Sequence, residues 1–123
     1  MQKRIFVISP VRNIDKVTYA VIEKWVHARE AEGYKVHWPP RDTNQVDPIG
    51  LDICKQNREA IFWAGEVHIW LDLRSQGSLF DMGMTFAYLR DMRKKIVIIN
   101  QDQIKSTPDK SFENVFLELA KAS

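Results

Sequence analysis

Residues 66–83 read EVHIWLDLRSQGSLFDMG, and this stretch decides the fold. Its first half, EVHIWLDL (66–73), is a mostly apolar run of the kind that forms a buried strand. Its second half leads into an apolar-periodic run that predicts a helix over 78–92. Between them lie Ser75, Gly77, Ser78, Asp81 and Gly83. A strand that turns through small polar residues into a helix is half of a βαβ unit.

The same alternation extends in both directions. RIFVIS (4–9) is β-branched and aromatic and stops at Ser9-Pro10, so it predicts a buried strand. Over 14–32, Val17, Val21, Trp25 and Ala28 recur at helical spacing, with Gly33 placed for a left-handed cap. YKVHW (34–38) is a short strand closed by Pro39-Pro40, and RDTNQVDPIG (41–50) is turn-rich and reads as a loop. Residues 50–64 predict a helix with Ile53, Asn57, Ile61 and Ala64 on or near one face. KIVIIN (95–100) predicts a fourth strand and 113–122 a last helix. The order βαβαβαβα implies a parallel sheet with right-handed crossovers and helices on both faces. The expected fold class is α/β, a flavodoxin-like doubly wound parallel sheet of four to five strands flanked by helices, in a single domain over 1–123.

The totals narrow the function. The chain has 123 residues, 45% hydrophobic and 28% charged, with a net charge of +2, too small to argue for nucleic acid as a partner. Cys54 is the only cysteine, which excludes an internal disulfide and suits a reducing compartment. The apolar run in MQKRIFVISP is too short for a signal-peptide core, and no run approaches a membrane span. A cytoplasmic protein with no membrane partner is expected.

In doubly wound sheets, ligands bind beyond the carboxyl ends of the strands, where strand order reverses. Three such ends are polar here: Ser9 to Arg12; Arg41, Asp42, Asn44 and Gln45; and the 74–83 stretch. In the last, Gly77 and Gly83 would allow close backbone approach. Ser78 would cap the helix, and the unpaired N–H groups of the first turn would favour an anion such as phosphate. Asp81, placed in that first turn and held ionised by the helix field, could act as a nucleophile or stabilise a cationic sugar transition state. The plainer alternative is that Ser78 and Asp81 only cap the helix. Asn57 falls on the apolar stripe between Ile53 and Ile61, so it is either a hydrogen-bonded structural amide or part of a site.

Other signals are weak. His27, His37 and His68 lack metal-ligand spacing, and no metal site is expected. Neither a G-x-S-x-G elbow nor a phosphate-binding or dinucleotide glycine fingerprint is present, and no cofactor is expected. Arg90, Arg93, Lys94 and Lys95 suggest a solvated helix end ahead of a nucleic-acid patch. Most of Trp25, Trp38, Trp63 and Trp70 belong in the core, although Trp38 and Trp63 could instead mark a subunit contact or a base-stacking pocket.

Taken together, RIFVISPVR, ICKQNREAIFWAGEVHIWLDL, SQGSLFDMGMTFAY and KKIVIIN resemble the nucleoside 2-deoxyribosyltransferase family, particularly its deoxynucleoside 5′-monophosphate N-glycosidase branch. The resemblance covers roughly residues 3–100. Its most specific element is the small-residue loop followed by an acid and, two residues on, a glycine. It implies a flavodoxin-like fold, a homodimer or higher homo-oligomer, and cleavage or transfer at the N-glycosidic bond of a nucleoside or nucleotide. Asp81 stands at the position of the family's nucleophilic glutamate, and Asn57 at that of an aspartate that holds the sugar or assists the nucleophile. Phe6 replaces a tyrosine that orients the nucleophile, and would instead shape the base and sugar pocket. Arg12 and Ser75 match the phosphate-holding positions, with Gly77 giving close backbone approach and Ser9 and Ser78 as further substrate contacts. Aspartate for glutamate withdraws the carboxylate by one methylene, a displacement that can cost on the order of 10²-fold in rate. A non-catalytic nucleotide-binding or regulatory domain on the same fold is the alternative.

Overall fold

The computed structural model describes residues 3–123. These form four strands, β1 (Arg4–Ile8), β2 (Lys35–His37), β3 (Glu66–Ile69) and β4 (Lys95–Ile98). The α-helices are α1 (Lys16–Ala31), α2 (Pro39–Asp42), α3 (Leu51–Trp63), α4 (Gln76–Tyr88) and α5 (Phe112–Ala122). The sheet is parallel throughout in the order β2-β1-β3-β4, a flavodoxin-like α/β arrangement. Strand order reverses between β1 and β3, which makes their carboxyl ends the switch point.

β1 is buried on both faces because its residues alternate between two cores. Phe6 and Ile8 join Ala60 and Ile61 of α3, Met82 of α4 and Phe116 of α5. Ile5 and Val7 pack instead with Ile22 and Val26 of α1. The helices are thus unevenly shared, with α1 on one face and α3, α4 and α5 on the other. Burial of this apolar set, at about 25 cal/mol per Å², is the main force holding the layers together.

The helix ends follow ordinary capping chemistry. Asp15 accepts from the Thr18 N–H at 2.7 Å at the start of α1. Gly33, with φ +97°, ends that helix as expected, its N–H donating to the Glu30 carbonyl. Asp47 reaches forward to accept from the N–H groups of Asp52 and Ile53 and so caps α3.

Several expected details differ. The buried stripe of α1 is Ile22 and Val26, with Tyr19 and Trp25 beside it, whereas Val17, Val21 and Ala28 face solvent. The helix is rotated by about one residue, 100°, from the expected face. The 41–50 stretch opens inside a single helical turn begun by Pro39, where Asp42 accepts the Trp38 N–H at 2.9 Å. β3 ends at Ile69, four residues earlier than its apolar run suggests; the Trp70 N–H makes one more bond to the Ile8 carbonyl, and residues 71–73 leave the sheet. Lys94 is buried rather than solvated, and its ammonium donates to the Phe62 and Ala64 carbonyls at the end of α3.

β4 is an edge strand. Lys95 and Ile99 donate to carbonyls of Gly65 and Ile69 on the β3 side, and the Ile96 N–H donates to Ser123 Oγ at 3.0 Å. Among the described residues no helix is long and apolar enough to cross a membrane.

Candidate functional site

A cavity of about 600 Å³ opens at the switch point. It is lined by the β1–α1 connection, including Arg12, by Trp70 to Ser75, and by Asn100 after β4. Asn100 clamps the β3–α4 connection. The Leu71 N–H donates to Asn100 Oδ1 at 2.8 Å, and Asn100 Nδ2 donates back to the Leu71 carbonyl at 3.0 Å. Asp72 holds Arg74 in a two-point ion pair, both contacts at 3.0 Å, and that guanidinium lowers the Asp72 carboxyl below its usual range. Arg12 is exposed and, among the described residues, makes no ion pair, so its charge is available to the cavity.

Ser75, not Ser78, caps α4: its Oγ accepts the Ser78 N–H at 3.2 Å. This correction moves the helix start back to Gln76 and carries Asp81 into the second turn. The field of unpaired N–H groups falls off within the first turn, so it does not hold Asp81 ionised. Burial acts the other way and raises the Asp81 carboxyl to about 7, opposed by the Asn57 contact. The expectation of an aspartate kept charged by the helix is therefore overturned.

From the cap inward, Ser75, Ser78, Asp81 and Thr85 follow each other at three- and four-residue spacing and share one face of α4. Ser75 is half-buried at the cavity; Ser78, Asp81 and Thr85 are buried. Thr85 is satisfied by the Asp81 carbonyl at 2.8 Å. Among the described residues Ser78 Oγ is buried with no hydrogen-bond partner, an arrangement rare enough in folded proteins to need an explanation. The Asp81 carboxylate meets one amide, Asn57 Nδ2, at 3.5 Å. Behind Asn57 stand Thr43, whose hydroxyl donates to Asn57 Oδ1 at 2.7 Å, and His37, whose Nε2 lies 2.8 Å from Thr43 Oγ.

The expected site residues therefore divide. Arg12 and Ser75 share the cavity. Asn57, Ser78 and Asp81 are buried polar groups of α3 and α4, and they do not line it. Gly77 is exposed in the first turn of α4, and a Cβ there would meet nothing within 4 Å, as also at Gly83; no close approach within the protein requires either glycine. Phe6 is wholly buried and stacks on His37, with ring centroids 5.6 Å apart, so it forms a floor beneath the polar groups. Ser9 is buried, and its Oγ accepts the Trp38 indole N–H at 3.0 Å. That bond places Trp38 in the core against Tyr19, which removes it as a subunit-contact or stacking residue. Arg41, at the second strand end, is paired with Glu30 and Asp42.

Asn100 lines the cavity without a sequence signal pointing to it, and Trp70, expected in the core with most of the tryptophans, is partly buried and lines the cavity as well. Asn100 lies two residues beyond the end of β4, within reach of the strand-end rule applied to that strand. His37 and Thr43 carried no local signal. Among the described residues no group of three or more His, Cys, Asp and Glu side chains is placed to hold a metal ion. No protein-family model matches the chain, and no curated protein matches it significantly.

Proposed function

We propose that this protein binds a nucleoside or nucleoside 5′-monophosphate and cleaves or transfers at its N-glycosidic bond, with Asp81 as the attacking carboxylate. The observation that carries this reading is the buried face of α4. It offers a carboxyl tuned to about 7 with only one amide contact, and one turn away a buried hydroxyl with no partner. Groups left unsatisfied further along the helix that Ser75 starts at the edge of a polar cavity suit a ligand rich in hydroxyls. Ser75 connects the two, since it caps α4 and also lines the cavity. Arg12 and the first turn of α4 would receive the phosphate, and Trp70 offers a flat apolar surface for a base. Asp81 would form a bond to the anomeric carbon as the base departs with the glycosidic electron pair. Water or a second base would then release the sugar. The resemblance to deoxyribosyltransferases supports the same assignment of Asp81 and Asn57, with a homodimer in the cytoplasm as its expected setting.

The test is incubation with a panel of deoxynucleosides and their monophosphates, with free base followed by chromatography. Release that disappears in Asp81→Ala is the expected result; absence of release from every member refutes the reaction. A second reading, a nucleotide-binding module without turnover, is favoured by one observation: Arg12 and Ser75 line the cavity and Asp81 does not. Thermal stabilisation by a monophosphate without base release would select it.

A further inference from the structure

We infer that His37 and Thr43 are positioning residues that, through Asn57, set the direction of the hydrogen bond presented to Asp81. The bonds form one line across the buried layer: His37 Nε2 to Thr43 Oγ at 2.8 Å, Thr43 Oγ to Asn57 Oδ1 at 2.7 Å, and Asn57 Nδ2 to Asp81 Oδ2 at 3.5 Å. A hydroxyl has a single proton. Thr43 donates it to Asn57 Oδ1, so Thr43 Oγ must accept from His37, and His37 must carry its proton on Nε2. With Oδ1 occupied, the Asn57 amide can turn only its N–H toward Asp81. Every donor in the line then points at the carboxylate. A flipped amide would present oxygen to oxygen and favour the protonated acid.

The surroundings keep the line fixed. Thr43 and Asn57 are buried, His37 stacks flat on Phe6 at an interplanar angle of 11°, and burial lowers the His37 pKa, which keeps the ring neutral. The charged groups around His37 are Asp42 and Arg41, which oppose each other. From α3, burial and then the negative charge of Asp81 raise the Cys54 thiol, so that it stays uncharged. The positioning role deepens the proposed reaction and gives Asp81 its attacking form, although the hydrogen-bond line itself is testable without turnover.

The experiment is NMR on the intact chain. Ring ¹⁵N shifts of His37 should report the Nε2–H tautomer; the Nδ1–H tautomer would overturn the inference in the wild-type protein itself. Carboxyl ¹³C titration, assigned by loss of the signal in Asp81→Asn, should show the Asp81 midpoint rising by about half a pH unit or more in Thr43→Val, as expected when a donor to a carboxylate is loosened. Thr43→Ser should restore it. If Thr43→Val fails to fold, His37→Phe, which keeps an aromatic ring for Phe6, should shift the midpoint the same way. An unmoved midpoint in a folded variant, or equal shifts in the Val and Ser variants, overturns the assignment. Base release measured in parallel separates the two ideas: release with an unmoved midpoint sinks the line of bonds alone, and a moved midpoint without release sinks the reaction alone.

Discussion

Replacing Asp81 with asparagine should make the protein more stable, and the gain should depend on pH. Burial raises the Asp81 carboxyl from 3.8 in the unfolded chain to about 7 in the folded one. Between those values the folded state holds a proton that the unfolded state has released, so stability falls as pH rises through this window. At roughly 1.4 kcal/mol per pKa unit, the full loss above pH 7 approaches about 4 kcal/mol. The asparagine of Asp81→Asn cannot ionise and escapes that loss, but its buried amide brings a donor to satisfy, which costs about 1–3 kcal/mol. A net gain of roughly 2 kcal/mol is expected at pH 8 and a deficit of about 1–2 kcal/mol at pH 4, where both side chains are neutral in the folded state. Urea unfolding followed by tryptophan fluorescence, at intervals from pH 4 to pH 8.5, measures this directly. The midpoints of wild type and variant should diverge with rising pH at equal m-value. A variant that is less stable at pH 8, or a difference that does not change with pH, would refute the buried-carboxyl account.

Three further outcomes follow from the same geometry. Base release should climb with pH around a midpoint near 7 if Asp81 attacks as a carboxylate; a rate that falls over that range would make it a proton donor instead. Arg12→Ala should leave the unfolding midpoint within the range of an ordinary surface change, about 0.5 kcal/mol, because the side chain is exposed and makes no ion pair among the described residues. It should weaken binding of a monophosphate more than of the matching nucleoside, as titration calorimetry would show. Ser75→Ala should cost about 1 kcal/mol through loss of the α4 cap, with Ser75→Asp largely restoring stability in urea unfolding.

The sheet and its order of elements are legible because periodicity and turn residues are local signals. The 4–9, 66–73 and 95–100 runs, and the glycine at 33, need nothing from the rest of the chain. Facing and burial are less local. Val17, Val21 and Ala28 fit a helical stripe as well as Ile22 and Val26 do, and only the packing of α1 on β1 selects the second set. Asn57 was readable because an amide interrupts an apolar stripe. Its partner Thr43 was not, because it lies 14 residues away in a polar segment whose fold comes from Asp42 and Pro39. The state of Asp81 is not legible for a definite reason: Ser75 and Ser78 are equally good caps by sequence, and a cap at Ser78 moves the acid from a buried second turn into the favourable first one.

The hydroxyl of Ser123 has a reach beyond its own helix. It takes the outward N–H of Ile96 on the sheet's margin while giving its proton to the Leu119 carbonyl. A margin with free amides is a template on which extended segments of other molecules can zip, the first step of fibrous assembly. Here the end of α5 supplies the plug, so loosening that helix would uncover both its apolar seat and a strand ready to recruit.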